Sequence, residues 1–419
     1  MALGNPAPRG DREVPARRVA RRAAAARRPL GRAGARGSGG LLAGPRAKTL
    51  WLPIVAALGV FLLLLWYVLA RSPSHPAAGA NLGAAAARAG LSTDAPGAAG
   101  PSSSTATTDT SVVAVPTGPS GCTTGRALPS GVTNQTVTVG STKRTYLLSM
   151  PKTTSAGPLP VILAFPAAGQ SPLQAEADTG LANTATPRGY VVAYLAGVDD
   201  RWNFVRSTSG ANDVAFVAGV LGDLHTRGCI ADNKVFAAGL GDGADMAVAA
   251  SCALSGKIGA IVSVAGSVVP ASCPNPVTNL FEIHGAQDPI APLDGGGPKR
   301  TSPFADVTAQ PVTERLGRYA QDAGCGAAAT NETLPGLGNL TAWTCDGKPD
   351  VGALSVTGGG HTWPQAPAHP ELGPTATTFS ATVVSILYFQ AHPVVGSVVS
   401  ANSPSIAQSL ASALGAQGN

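Results

Sequence analysis

One thirteen-residue stretch constrains this chain more than any other: Val235-Phe-Ala-Ala-Gly-Leu-Gly-Asp-Gly-Ala-Asp-Met-Ala247. Its apolar opening reads as a β-strand and its Ala-rich end as a helix, with Gly239, Gly241 and Gly243 between them. So sharp a turn strains the backbone and brings strand and helix too close for side chains, which glycine permits. With serine in the middle, the same frame lifts a nucleophilic oxygen above a sheet. Here the middle residue is Gly241.

Charge is unevenly placed along the 419 residues. Residues 1–49 hold 12 Arg and Lys against Asp11 and Glu13, and the remainder holds 17 basic against 21 acidic residues. The folded part is thus mildly acidic and gives no case for nucleic-acid binding. Six cysteines, all between Cys122 and Cys345, suit three disulfides in an oxidising compartment. None stands in a C-x-x-C pair, so no metal site is expected. Glycine runs such as Gly358-Gly-Gly360 lack the Lys-Ser/Thr of a phosphate loop, and no cofactor is expected.

The arm over 1–48 is rich in Ala, Arg, Gly and Pro without apolar periodicity, and disorder is expected there. Thr49–Ala70 follows, 22 residues without a charge between Lys48 and Arg71. At about 1.5 Å per residue it would span roughly 33 Å, enough for a bilayer's hydrocarbon core. Trp51 lies near one end and Trp66-Tyr67 near the other, where amphipathic rings favour the interface. The basic arm then predicts a single-pass anchor with a cytoplasmic N-terminus and everything after it exported. The competing reading is a cleaved signal peptide, with Ala78-Gly79-Ala80 as its cleavage site and a secreted product.

Residues 71–120 have the Ala, Gly, Ser, Thr and Pro of a flexible linker. From 121 to 395 strand-like apolar runs alternate with helical ones. The expected strands are Thr145–Met150, Val161–Phe165, Tyr190–Leu195, Lys234–Ala238, Gly259–Val264, Leu280–His284 and Gly352–Thr357. Helices are expected at 213–226, 243–255, 311–323 and 377–390. Continuous apolar strands with crossover helices imply an α/β domain, its mostly parallel sheet covered on both faces. Residues 396–419 read as a low-complexity tail.

Several motifs in this domain together resemble the secreted polyhydroxybutyrate depolymerases and the feruloyl or acetylxylan esterases. Arg144-Thr-Tyr-Leu-Leu and Pro158-Leu-Pro-Val-Ile-Leu resemble that family's opening strands. Trp202-Asn203 with Asn212-Asp213 resembles the stretch before the helix that precedes the glycine-framed turn. Ile283-His-Gly-Ala-Gln-Asp288 looks like the loop bearing the family's acid, and Gly358-Gly-Gly-His361-Thr-Trp-Pro364 the segment bearing its histidine. The resemblance covers nearly all of residues 140–390 and implies the α/β-hydrolase fold. Independently of the family, the order of turn, Asp288 and His361 is the chain order of an α/β-hydrolase triad. Both residues follow expected strands, and open α/β sheets place their sites in loops at strand C-termini.

The departures concern the chemistry. Gly241 stands where the family has its serine and can hold no acyl group. Pro166-Ala167 stands where a His-Gly pair begins the oxyanion-hole loop. Pro166 has no N–H, leaving that of Ala167. Asp242 stands at the other donor position, and its carboxylate, if aimed inward, would oppose an oxyanion. Losing a triad nucleophile costs about 10⁶ in turnover, on the order of 8 kcal/mol. His361 with Asp288 could still activate water, retaining a residual rate of about 10³–10⁴ over water. The expectation is a pseudo-hydrolase whose cleft binds a cell-envelope polysaccharide, polyester or aromatic ester. An active ester hydrolase and an envelope scaffold are the other readings. Trp202 and Trp363 are candidates to line the pocket, although packing is the commoner role. Proximity pairs the cysteines as Cys122–Cys229, Cys252–Cys273 and Cys325–Cys345, one of 15 connectivities.

Overall fold

The apolar runs become strands because helices cover both of their faces. In chain order these are β1 (Gly131–Val139), β2 (Thr142–Met150), β3 (Leu159–Phe165), β4 (Val191–Leu195), β5 (Ile230–Leu240), β6 (Ala260–Val264) and β7 (Asn279–Gly285). A small hairpin of β8 (Gly296–Thr301) and β9 (Asp306–Ala309) follows, then β10 (Ala329–Leu334), β11 (Gly338–Trp343) and β12 (Val351–Val356). This computed structural model describes residues 113–392, with breaks at 126–127, 153–156, 272, 275, 302–305, 327–328, 344, 346 and 348, and also Leu410. The expected anchor at 49–70 and the arm at 1–48 lie outside the described residues. Among the described residues no helix is long and apolar enough to cross a membrane.

Ten strands form one sheet in the order β1-β2-β4-β3-β5-β6-β7-β12-β11-β10. Every pairing from β4 through β12 is parallel, and antiparallel strands extend both ends. Side chains alternate between two cores. Val161, Leu163 and Phe165 of β3 pack with Trp202, Phe216 and Met246, whereas Ile162 and Ala164 pack with Phe236, Phe281 and Phe389. This is the α/β-hydrolase fold, a mostly parallel sheet between helical layers.

All seven expected strands are present, although β5 starts at Ile230 rather than Lys234. The missed strands β1 and β8 to β11 are polar or glycine-rich, without continuous apolar runs. The four expected helices form as Asp213–Arg227, Asp242–Ala253, Val312–Asp322 and Ala381–Ala391. The last begins after 377 because Ser380 caps it, accepting from the Val383 N–H. Also missed was Pro172–Thr179, which starts with a Ser171/Gln174 capping box. The linker expected to end at 120 gives way earlier, since Val113 and Val115 pack against the core. Leu410, within the expected tail, is buried against the other core. The disulfides pair as proximity suggested, Cys122–Cys229, Cys252–Cys273 and Cys325–Cys345.

A buried ion pair fastens one helix to the sheet. The Arg144 guanidinium on β2 donates to Asp213 Oδ1 at 2.7 Å and to the Ala196 carbonyl at 2.8 Å, and lies 4.2 Å from the Phe216 ring centre. Asp213 Oδ2 accepts the Asn203 N–H at 2.7 Å. Burial pushes the Asp213 carboxyl up, and Arg144 opposes that. Removing one partner leaves a buried charge unpaired, which costs about 3–5 kcal/mol. Arg144→Met is therefore expected to lower the midpoint of denaturant unfolding by that equivalent. Adding Asp213→Asn should recover part of the loss, as checked by a double-mutant cycle.

Candidate active site

The turn after β5 is built by two close approaches. A Cβ on Gly239 would lie 2.5 Å from the Gly243 carbonyl carbon, and one on Gly243 would lie 2.2 Å from the Phe165 carbonyl oxygen. Between them Gly241 adopts φ 55° and ψ −121°, with its N–H donating to the Val264 carbonyl at 2.9 Å. This is the strained turn that an exposed nucleophile requires, kept without the nucleophile.

The two loops expected to carry acid and base meet at it. A Cβ on Gly285 would lie 2.3 Å from the Gly359 and Gly360 carbonyl oxygens, so the loops touch backbone to backbone. The Gln287 N–H donates to the Gly359 carbonyl at 2.8 Å. Asp288 Oδ2 then lies 2.9 Å from His361 Nδ1, while Asp288 Oδ1 accepts the Ile290 and Ala291 N–H groups, each at 2.8 Å. With its acceptor fixed, the His361 proton belongs on Nδ1, and Nε2 faces the turn. A Cβ on Gly241 would lie 2.6 Å from that Nε2. The imidazole stands in space a serine side chain would need.

Behind Asp288 lies a second histidine that sequence reasoning treated as structural. His284 Nδ1 faces Glu282 Oε1 at 2.9 Å, and its Nε2 faces the Ala291 carbonyl at 2.6 Å and Asp288 Oδ2 at 3.6 Å. Both of its nitrogens therefore face oxygen atoms. Burial would raise the Glu282 carboxyl, but Arg315, 2.9 Å away, and His284 hold it down at about 2.

Of the two oxyanion positions, one is engaged by the chain itself and the other is not arranged as expected. The Ala167 N–H donates to Gln170 Oε1 at 3.1 Å, and the Gln170 amide donates to Asp178 at 2.7 Å. The Asp242 carboxylate, which the sequence left free to oppose an oxyanion, is instead paired with the Arg300 guanidinium from β8. Arg300 also reaches Asp245 Oδ2 at 3.3 Å and the Ser267 hydroxyl. Burial pushes the Asp242 carboxyl up, and the Arg300 charge opposes this. Arg300 and Gln170 were not anticipated: Arg300 pairs with a residue 58 positions away, and no local motif marks either.

The pocket candidates are inside the protein. Trp202 is buried, its indole N–H donates to the Pro166 carbonyl at 2.9 Å, and its ring meets Phe165 edge-on. Trp363 is also buried and donates to the Thr382 hydroxyl at 2.9 Å; with Gly239 and Leu240 it borders a small cavity. Trp202 is a packing residue here, whereas Trp363 both packs and lines that cavity. Among the described residues no group of three or more His, Cys, Asp or Glu side chains could hold a metal ion.

No protein-family model matches the chain. NocK of Nocardia uniformis subsp. tsuyamanensis, assigned as an esterase, is 27% identical over 225 residues, 49% of this chain and 65% of that protein. Feruloyl esterase B of Piromyces equi is 25% identical over 202 residues, 45% of this chain and 37% of that protein. The solved acetyl xylan esterase from Aspergillus awamori shares 15% identity with a TM-score of 0.41, covering 57% of this chain and 96% of that one. The chain thus spans less than two thirds of the length of either curated relative. In strand order the chain has the α/β-hydrolase fold, and in sequence it is similar to these esterases.

Proposed function

We propose that this chain is a pseudo-hydrolase, an exported esterase relative whose cleft holds a ligand without efficiently cleaving ordinary carboxylic esters. The observation that carries this reading is the 2.6 Å between His361 Nε2 and the place a Cβ on Gly241 would take. The base has moved into the nucleophile's space. Serine chemistry is absent, and its loss alone costs about 10⁶ in turnover. With the Ala167 N–H engaged by Gln170, a further factor of about 10²–10³ is lost wherever one oxyanion donor is missing.

Three disulfides support an oxidising, extracytoplasmic setting. The charge-free stretch 49–70 behind a basic arm supports a membrane anchor that leaves the domain facing the envelope. Feruloyl and acetyl xylan esterases among its relatives favour a polysaccharide, polyester or aromatic ester as the ligand. The second reading, hydrolysis by water that His361 activates, draws on the intact pair of Asp288 and His361, 2.9 Å apart.

These readings separate by assay of the whole chain on short-chain alkyl and feruloyl esters. The natural protein is expected to show no turnover above background. Turnover well above background that His361→Ala abolishes would overturn the pseudo-hydrolase reading. Gly241→Ser is expected to gain measurable hydrolysis only if the imidazole retreats, since its Cβ starts 2.6 Å from Nε2. The restored rate should stay about 10²-fold or more below that of a complete site, because one oxyanion donor remains engaged.

Binding is tested by the melting temperature of the whole chain with cell-wall sugars, ferulate or hydroxybutyrate oligomers. A ligand at 100 times its Kd stabilises by about 2.7 kcal/mol, a shift of a few degrees. A shift with at least one is expected. No shift with any of the three would count against binding of these classes.

A further inference from the structure

We propose that His361 is itself a nucleophile, accepting acyl groups on Nε2 from esters of acidic phenols. This rests on the reading that Gly241 has ended serine chemistry, and it assigns the vacated role to the neighbouring ring.

Position comes first. Strand, turn and helix in this fold present one atom above the sheet, and here the atom at that place is Nε2, 2.6 Å from the site of a Cβ on Gly241.

Protonation comes second. Asp288, held by the Ile290 and Ala291 N–H groups, accepts the Nδ1 proton at 2.9 Å, so the neutral ring carries its lone pair on Nε2. In a working triad that lone pair is committed to the serine proton. Among the described residues His361 makes its hydrogen bond through Nδ1 and none through Nε2, and its side chain is 8% exposed. Histidine is among the side chains that form covalent intermediates.

The surroundings select the substrate. Arg300 pairs with the Asp242 carboxylate while also reaching Asp245, and the Asp242 N–H lies in the first turn of its helix. With the Ala167 N–H engaged, stabilisation is weak. An intermediate formed from an alkyl ester expels the imidazole, its better leaving group, and returns to substrate. One formed from an ester of an acidic phenol expels phenolate instead.

The steps balance. The Nε2 lone pair forms the N–C bond, the ester C–O bond breaks, and phenolate leaves with its electron pair. The resulting acyl-imidazolium keeps its Nδ1 proton against the Asp288 carboxylate. Water then adds to the acyl carbon and the N–C bond breaks. Its electron pair returns to Nε2, a carboxylic acid is released, and its proton passes to solvent. The net reaction consumes one ester and one water and yields one acid and one phenol.

The test treats the whole chain with p-nitrophenyl acetate, pentafluorophenyl acetate and ethyl acetate in the presence of hydroxylamine, with the reaction in the absence of protein subtracted. A shared acyl-histidine predicts the same ratio of acetohydroxamate to acetate from both aryl esters, little slowing in deuterium oxide and no cleavage of ethyl acetate. His361→Ala is expected to cut p-nitrophenol release by about tenfold or more. Gly241→Ala, whose Cβ displaces the ring, should reduce it too, while His225→Gln and His369→Gln leave it unchanged. A product ratio that differs between the two aryl esters, marked slowing in deuterium oxide, or undiminished release by His361→Ala would overturn the proposal. The trapping and isotope measurements use the natural protein, so they decide even if a variant does not fold. Cleavage of ethyl acetate would overturn the pseudo-hydrolase reading, whereas a leaving-group-dependent ratio overturns only this one.

Discussion

Helix Asp242–Ala253 begins in backbone-to-backbone contact with the sheet, with Gly243 against the Phe165 carbonyl and Gly239 against Gly243 itself. Any side chain at either glycine would push the helix outward. Gly241 would move with it, and the first N–H groups of the helix would leave the loop after β3. A chain that has given up its nucleophile still keeps this approach, because it is also how one core closes: Met246, Ala247 and Ala250 of the helix are all buried beneath it. The turn therefore has a packing role apart from catalysis.

Charges around the site are arranged in balanced groups rather than left exposed. Asp288 is shared by His361 in front and His284 behind, and Glu282 with Arg315 completes the buried set. On the other side Arg300 bridges Asp242, Asp245 and Ser267. Breaking one member of such a set leaves an unpaired buried charge, which is far costlier than losing an exposed pair. The pair of acid and base can thus persist for structural reasons even where turnover has lapsed.

Much of this was legible in the sequence, for identifiable reasons. Asp288 and His361 stand in short local motifs directly after apolar strands, so their placement followed from chain order alone. The parallel strands were visible because burial on both faces makes them continuous apolar runs. Strands β1, β10 and β11 were not, since a sheet edge facing water tolerates Thr, Asn and Gln. Arg300 acts on groups brought near by folding, and no spacing rule reaches across 58 residues, whereas Gln170 acts on Ala167 three residues back through a turn that carries no distinctive motif. Trp202 and Trp363 were ambiguous because a tryptophan can line a pocket or fill a core: both indole N–H groups are satisfied inside the protein, and Trp363 borders a cavity as well.

The bridge between Cys122 and Cys229 has a mechanical consequence. Tension applied to the chain on the N-terminal side of residue 122 enters the fold through that covalent link, at the residue before β5. Strand β5 lies between β3 and β6 in the interior of the sheet, whereas β1 is at its edge. Load passes directly to a strand paired on both sides, and the edge strand that follows Cys122 in sequence stays slack. A domain tethered from that side would resist pulling by shearing central strands rather than by unzipping its rim.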